Sequence, residues 1–168
     1  MQCTGASTAG FAACCRPVIA VVRAQMKYVV DTNIINRLVD GTLEIEDLPA
    51  DGDFVATHVQ MDELNKTKDE ERRAQLFIKF ATTVKQVIPT ESLVVGISRI
   101  GLSKISDGKL FSSLRAALDS RNKGKPNNAH DAMIAEVAIV NGFILLTADQ
   151  DLAQVAQAHG SKVRHYAP

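Results

Sequence analysis

Four acidic residues, spread over most of the 168-residue chain, stand where carboxylates could meet in one pocket. Asp31 and Asp149 each follow a short apolar run within three residues. Glu63 comes after a third such run, and Asp131 opens a long apolar helical pattern. Crowded carboxylates repel one another unless a hard divalent cation neutralises them, and oxygen ligands favour magnesium or manganese over zinc. Such a pocket can activate water and stabilise the charge that develops on a phosphodiester.

Short β-branched runs alternate with helical patterns along the chain, and this alternation indicates which elements position the four acids. We predict strands at 28–30, 54–56 and 143–146, and a last strand near Val163. We predict helices at 34–39, from Thr57 to about Lys66, from about Asp69 to Val87, at 110–118, from 128 to 140 and at 150–158. Segment 93–95 fits either a strand or a buried helix, whereas 101–108 and 121–128 are typical of loops.

Strands that are solid apolar runs, separated by helices, indicate an α/β fold with a parallel sheet covered on both faces. Ligands of such sheets collect outside the carboxyl ends of the strands, where the strand order reverses. Asp31 and Asp149 are therefore expected to be neighbours. Asp131 lies in the first turn of its helix, just before the strand that ends at Leu146, and can face the same crevice.

Each carboxylate also has an ordinary structural interpretation. Asp31 and Asp149 are suitable helix N-caps, and Asp131 is favoured by the dipole of its own helix. Glu63 fits a solvated helix position. The divalent-cation interpretation depends on all four meeting in one place, because single residues of these types are common at helix ends.

Composition and charge fit one ordinary globular domain. The chain is 46% apolar and 23% charged with a mean hydropathy of zero, and no apolar run approaches the ~20 residues that cross a bilayer. Nineteen basic residues balance nineteen acidic ones. However, residues 40–71 hold eleven acids against two bases, and residues 99–125 hold seven bases against two acids. This asymmetry suits a metal pocket beside a phosphate-binding rim, or simply two solvated helix faces.

The first 25 residues differ in composition from the rest, being rich in small residues up to Met26. We expect 1–25 to be a dispensable extension and 26–168 to be the functional domain, because Arg16-Pro17 interrupts any secretory apolar stretch. All three cysteines lie in this extension, and two of them are adjacent. Without a disulfide framework, the chain suits a reducing compartment, and we expect a cytoplasmic location.

Other common catalytic arrangements have little support in the sequence. The four histidines are scattered, at His58, His130, His159 and His165. No serine or cysteine forms a convincing nucleophile pattern with them. No glycine-rich loop of the kind that cradles phosphates is present, so the sequence does not indicate a nucleotide cofactor. We expect His130, beside Asp131, to be structural or to face substrate rather than to bind metal.

Four short motifs, in order from about Lys27 to the C-terminus, resemble the PIN-domain family. They are Val29-Val30-Asp31-Thr32-Asn33, Val59 with Glu63-Leu64, His130-Asp131-Ala132-Met133-Ile134-Ala135, and Leu145-Leu146-Thr147-Ala148-Asp149-Gln150-Asp151-Leu152. The resemblance implies a compact three-layer α/β/α sandwich with a central parallel sheet of four to five strands. Many members of this family are RNA-cleaving toxins of bacterial and archaeal toxin–antitoxin pairs.

The resemblance also implies specific site residues. The acidic quartet that would hold Mg2+ (or Mn2+) is Asp31, Glu63, Asp131 and Asp149. The polar residues that would support it are Asn33, Thr147 and Asp151. Two choices stay open at this point. Asp62 could replace Glu63 as the second carboxylate, and Asp151 could share the role of Asp149.

On this resemblance, the substrate is RNA, held at its backbone by the basic loop before the Asp131 helix. The residues of that loop are Arg121, Lys123 and Lys125. Phosphate contacts position a strand without reading its sequence, and single-stranded or looped RNA is favoured over A-form duplex. We expect a small antitoxin protein as partner, a homodimer, and no membrane association. Segment 89–108 is longer than a minimal member needs, and could add a strand or contact a partner.

Several other functions remain as alternatives. A haloacid-dehalogenase-type phosphatase needs a second aspartate two residues after the first, where this chain has Asn33. A response-regulator receiver needs paired acids after the first strand, which are absent. An RNA-processing nuclease outside a toxin–antitoxin pair fits the same residues. A non-catalytic RNA- or protein-binding module would gain nothing from acids clustered beside phosphate.

Overall fold

The computed structural model describes residues 25–167, which contain five strands and six α-helices. The strands are β1 (Met26–Val30), β2 (Gly52–Ala56), β3 (Gln86–Val87), β4 (Ile144–Thr147) and β5 (Lys162–His165). The helices are α1 (Thr32–Asp40), α2 (His58–Asn65), α3 (Glu70–Thr83), α4 (Lys109–Asn122), α5 (Asn128–Asn141) and α6 (Gln150–Ala158). A short 3-10 turn, Ile45–Asp47, precedes β2.

The five strands form one parallel sheet in the order β3-β2-β1-β4-β5. The order reverses at β1, which pairs with β2 on one side and with β4 on the other. Parallel strands end at the same edge, so the chain leaves β1, β2 and β4 close to one crevice. The α/β fold with a central parallel sheet, predicted from the alternation of strands and helices, is confirmed.

The middle strands are buried on both faces, as their solid apolar runs predicted. Val29 packs into a core with α4, α5 and α6, whereas its neighbour Val30 packs into a second core with α1 and α3. Alternate side chains of a strand point to opposite faces, so one strand serves both cores. The helices therefore form a layer on each face of the sheet, which makes the three-layer arrangement.

The predicted helix from Asp69 to Val87 was too long. It ends at Thr83, where Val84 takes an extended conformation, and Gln86–Val87 then pairs with β2 as an edge strand. The apolar spacing misled the prediction because the side chain of Val84 still packs on the second core after the helix has ended. The β2 edge gains the backbone hydrogen bonds that a longer helix would have left unmade.

Segment 93–95 is neither the strand nor the buried helix that its sequence allowed, because residues 93 and 94 are irregular and a turn begins at Val95. The surrounding segment is fixed at its ends, because Thr90 bridges to Ser103 in parallel register. Buried Glu91 accepts hydrogen bonds from Lys104 Nζ at 2.8 Å and from Asn141 Nδ2 at 2.7 Å. The extra strand considered for 89–108 therefore amounts to one isolated bridge.

Gly52 fixes the close approach of β2 to β1. A Cβ atom at this position would lie 2.2 Å from the carbonyl oxygen of Met26 and 2.7 Å from the ring of Tyr28. Any side chain would therefore push β2 away from its partner strand. The glycine is required by space and not by its backbone angles.

The predicted extension, 1–25, lies outside the described residues apart from Gln25, and all three cysteines lie outside them as well. The side-chain amide of Gln25 donates to Asp53 Oδ1 at 3.0 Å, and β1 begins at the next residue. Between residues 25 and 167, no helix has both the length and the apolar character needed to cross a bilayer.

Candidate functional site

All four predicted carboxylates line one cavity of about 400 Å³. Asp31 follows β1, and Asp149 follows β4. Glu63 comes from the last turns of α2, and Asp131 from the first turn of α5. The remaining lining residues are Thr32, Asn33, Asn36, Lys66, Lys125 and Asn127. Four separate elements thus bring acids to the crevice that the reversal of strand order creates.

Asp31 is the most deeply placed of the four, with 3% of its surface exposed. It occupies the N-cap position of α1, yet its side chain makes no capping hydrogen bond. Its Oδ2 instead accepts from Thr147 Oγ1 and from Asn33 Nδ2, both at 2.6 Å. The N-cap interpretation therefore does not account for its side chain, which is held by the two residues predicted to support it.

Asp149 is both a helix N-cap and a residue of the cavity wall. Its Oδ1 caps α6, accepting from the backbone N–H groups of Asp151 at 2.8 Å and Leu152 at 3.0 Å. Its Oδ2 lies 4.0 Å from the Nζ of Lys125, which is on the cavity wall. One oxygen fixes the side chain, and the other is available to the cavity.

Glu63, and not Asp62, lines the cavity. Its Oε2 accepts a short hydrogen bond from the hydroxyl of Thr32, and its Oε1 lies 3.3 Å from His130 Nδ1. Asp62 instead pairs with Arg99. Successive residues of a helix are about 100° apart, so the two side chains point in different directions. His130 lies against Glu63. That it is structural or faces substrate stays a prediction.

The electrostatics of the cavity are unfavourable for so many negative charges. Burial, followed in effect by the charges of Glu63 and Asp149, raises the pKa of Asp31 to about 7, although the hydrogen bond from Thr147 opposes the rise. Burial and the other three carboxylates raise the pKa of Asp131 to about 8, and Lys125 opposes that rise. A hard cation would relieve this repulsion, so the donor set fits Mg2+ or Mn2+ in charge and chemistry.

The four carboxylates are not arranged as the ligands of a bound metal ion. Among residues 25–167, no three acidic, histidine or cysteine side chains are grouped closely enough to hold a metal ion as they stand. Binding a cation would therefore require the carboxylates to rotate towards it. Asp31 and Asp149 have fixed hydrogen bonds, whereas half-buried Asp131 has more freedom.

Of the three basic residues predicted to form the rim, only Lys125 lines the cavity. Arg121 turns towards α6, where it pairs with Asp151 at 3.6 Å and contacts Gln154. Lys123 is exposed and ends α4 in a left-handed conformation, with φ of 58°. Asp151 is engaged by Arg121 and is absent from the cavity wall, so it does not share the position of Asp149.

The sequence predictions missed four lining residues, namely Thr32, Asn36, Lys66 and Asn127. Helical spacing could have indicated two of them, because residues three or four apart share a helix face. Lys66 follows Glu63 by three positions, and Asn36 follows Asn33 by three. Asn127 is the N-cap of α5, which no motif marked.

No protein-family model and no curated protein matches the chain. Several solved structures, however, are similar to it. VapBC2 from Rickettsia felis, described as bound to a DNA fragment from their promoter, is 16% identical, with a TM-score of 0.54 over 83% of this chain and 98% of that one. A domain of a functionally unknown protein from Methanocaldococcus jannaschii is 20% identical, with a TM-score of 0.50 over 85% and 92%. VapBC-5 from Mycobacterium tuberculosis, a member of the VapBC family of toxin–antitoxin systems, is 20% identical, with a TM-score of 0.45 over 84% and 98%.

The likeness to VapBC2 covers nearly the whole of that chain and most of this one. At 16% sequence identity, this likeness shows the fold alone. The parallel sheet, its reversal at β1 and the helical layers agree with it. From Gln25 to Ala167, the chain therefore has a PIN-like fold, as the resemblance of its motifs predicted.

Proposed function

We propose that this chain is a Mg2+- or Mn2+-dependent endoribonuclease and the toxin of a toxin–antitoxin pair. The observation that carries the proposal is the convergence of Asp31, Glu63, Asp131 and Asp149 on one cavity from four different elements. A structural role explains an isolated acid at a helix end, but not four acids in one cavity, where burial and the neighbouring carboxylates raise the pKa of Asp31 and of Asp131.

Asp31, Glu63, Asp131 and Asp149 would hold the cation. When bound, a divalent cation lowers the pKa of water and stabilises the charge of a phosphodiester under in-line attack. Thr147 and Asn33 orient Asp31, and the backbone of α6 orients Asp149. Thr32 holds one oxygen of Glu63. These contacts supply the kind of outer support that fixes metal-binding carboxylates.

RNA is the proposed substrate because the fold and the motif resemblance point to RNA-cleaving toxins and because Lys125 offers a phosphate contact beside the acids. The antitoxin partner is supported by the likeness to VapBC2, a complex described as bound to promoter DNA. We expect a small protein that binds DNA with one half and this chain with the other. The homodimer stays a prediction.

The nuclease proposal is tested with purified protein and a 5′-labelled single-stranded RNA, in Mg2+ and in EDTA. We expect cleavage in Mg2+ only, and Asp31→Asn and Asp131→Asn should each lower the rate by about 100-fold. Asp107→Asn is the matched control, because Asp107 pairs with Lys109 away from the cavity. Equal cleavage by wild type and both cavity variants would show that the assignment is wrong.

The toxin role needs a separate test in cells. Induced expression of the chain should arrest growth, and co-expression of the small protein encoded next to it should restore growth. Asp131→Asn should abolish the arrest. Growth arrest that no neighbouring protein relieves would favour an RNA-processing or turnover nuclease, and would contradict the toxin–antitoxin proposal.

A further inference from the structure

Two lysines share the cavity wall with the four acids. They are Lys66, at the end of α2, and Lys125, in the loop between α4 and α5. Within residues 25–167, no other lysine or arginine lines this cavity. Lys66 forms no ion pair within that part of the chain, and Lys125 only reaches Asp149 at 4.0 Å. Both ammonium groups are therefore available to a ligand.

The strand order separates the two lysines. Lys66 belongs to the helix that follows β2, and Lys125 approaches Asp149, which follows β4. Strand β1 lies between β2 and β4, and Asp31 follows β1 directly. The two lysines therefore come from elements on opposite sides of β1, which Asp31 follows.

The lysines and the acids also differ in depth. Lys66 and Lys125 are exposed, with 56% of the Lys125 side chain accessible. Asp31 is 3% exposed, and the side chain of Glu63 is 12% exposed. The two lysines are thus more exposed than the acids, of which Asp31 and Glu63 are the more deeply buried and Asp149, with 33% of its side chain accessible, is nearer the surface.

We propose that Lys66 and Lys125 bind the phosphates on either side of the cleaved bond, so that a single RNA strand crosses the mouth of the cavity. This inference rests on the proposed nuclease function. The ammonium of lysine is a compact charge that binds phosphate without reading bases. The two contacts offset the repulsion between the RNA backbone and the acids beneath it.

The recessed acids explain why the strand must be single. The phosphate between the two lysines has to bend inward to reach Asp31, which a flexible strand can do. A duplex holds its phosphates on a regular surface and cannot lower one of them alone. Two contacts that flank the reacting phosphate also favour cleavage inside a strand over removal of its end nucleotides.

Binding is measured in EDTA, where no metal-dependent cleavage takes place. The probe is a fluorescein-labelled, mixed-sequence, single-stranded RNA of about 20 nucleotides, followed by anisotropy over a salt series. Lys66→Gln and Lys125→Gln should each raise Kd about fivefold and reduce the salt slope by about 0.7. Lys68→Gln and Lys162→Gln are the controls, because both lysines are exposed and lie outside the cavity wall. The controls should change Kd less than about twofold.

Equal losses in the cavity variants and their controls would overturn the proposal, since general surface charge would then explain binding. A loss at only one of the two cavity lysines, or equal affinity for duplex RNA, would also overturn it. Circular dichroism of each variant verifies that it is folded. If binding follows the expected pattern while wild type fails to cleave in Mg2+, the two-lysine site is supported and the nuclease proposal is contradicted.

Discussion

Thr147 donates its hydroxyl hydrogen to Oδ2 of Asp31 over 2.6 Å, and so joins the last residue of β4 to the first residue after β1. The hydroxyl oxygen of Thr147 also accepts the backbone N–H of Asp149 at 3.0 Å. One buried hydroxyl therefore connects two of the four cavity acids. Its position follows from the pairing of β1 with β4.

Replacing Thr147 by valine keeps the shape of the side chain but removes these two hydrogen bonds and a third, longer one that Asn33 Nδ2 donates at 3.3 Å. We expect Thr147→Val to lower the free energy of unfolding by about 1–3 kcal/mol at pH 8, because a buried acceptor and a backbone donor lose their partner. Urea unfolding measures the change. Thr82→Val is the control, since exposed Thr82 bonds only to carbonyls of its own helix. Similar losses in both variants would contradict the role of Thr147.

The stability of the metal-free protein should depend on pH. The folded-state pKa of Asp31, about 7, and that of Asp131, about 8, lie above the ordinary 3.8. The folded state therefore binds more protons than the unfolded state between about pH 4 and 8, and the free energy of unfolding rises as the pH falls through this range. In EDTA, we expect a gain on the order of 5 kcal/mol from pH 9 to pH 5.5, because each group contributes about 1.4 kcal/mol per pH unit below its raised pKa.

Asp131→Asn should reduce that gain and raise stability at pH 9, because one repelling charge is gone. Mg2+ should stabilise the wild type more at pH 8 than at pH 5.5, because protons compete with the cation for the same oxygens. Urea unfolding of both proteins with and without Mg2+ measures these effects. An unfolding free energy that falls as the pH drops from 9 to 6 would contradict the raised pKa values.

The choice between Glu63 and Asp62 is testable in cleavage. Glu63→Gln should lower the Mg2+-dependent rate at least about tenfold, because a cavity carboxylate is lost. Asp62→Asn should keep the rate within about twofold, since this residue only forms a surface ion pair with Arg99. The reverse ranking of the two variants would mean that Asp62 is the second acid.

Gly52→Ala should disrupt the sheet. The added Cβ would meet the carbonyl oxygen of Met26 at 2.2 Å, so we expect a loss of more than about 2 kcal/mol or insoluble protein. Gly96→Ala is the control, because nothing lies within 4 Å of the added atom and only its φ of 84° opposes the change, at about 1 kcal/mol. Thermal unfolding compares the two. Equal losses would show that the contact between β1 and β2 is looser than described.

The sequence indicated the acids well because their positions depend on strand ends. Asp31 and Asp149 had to meet once β1 and β4 were neighbours in a parallel sheet, and the helical pattern placed Asp131 near them. The sequence did not indicate β3, because two exposed edge residues leave no apolar pattern of their own. It also overstated the basic rim, since the pairing of Arg121 with Asp151 depends on how α4 and α6 pack.

The most direct measurement is a titration of the metal-free protein with Mn2+, in which electron paramagnetic resonance detects the free ion. The account predicts saturable binding by the wild type, a weakening of at least about tenfold in Asp131→Asn and in Asp31→Asn, and unchanged binding in Asp62→Asn. Binding that is equally strong in all four proteins, or absent from the wild type, would contradict the claim that this cavity holds a divalent cation.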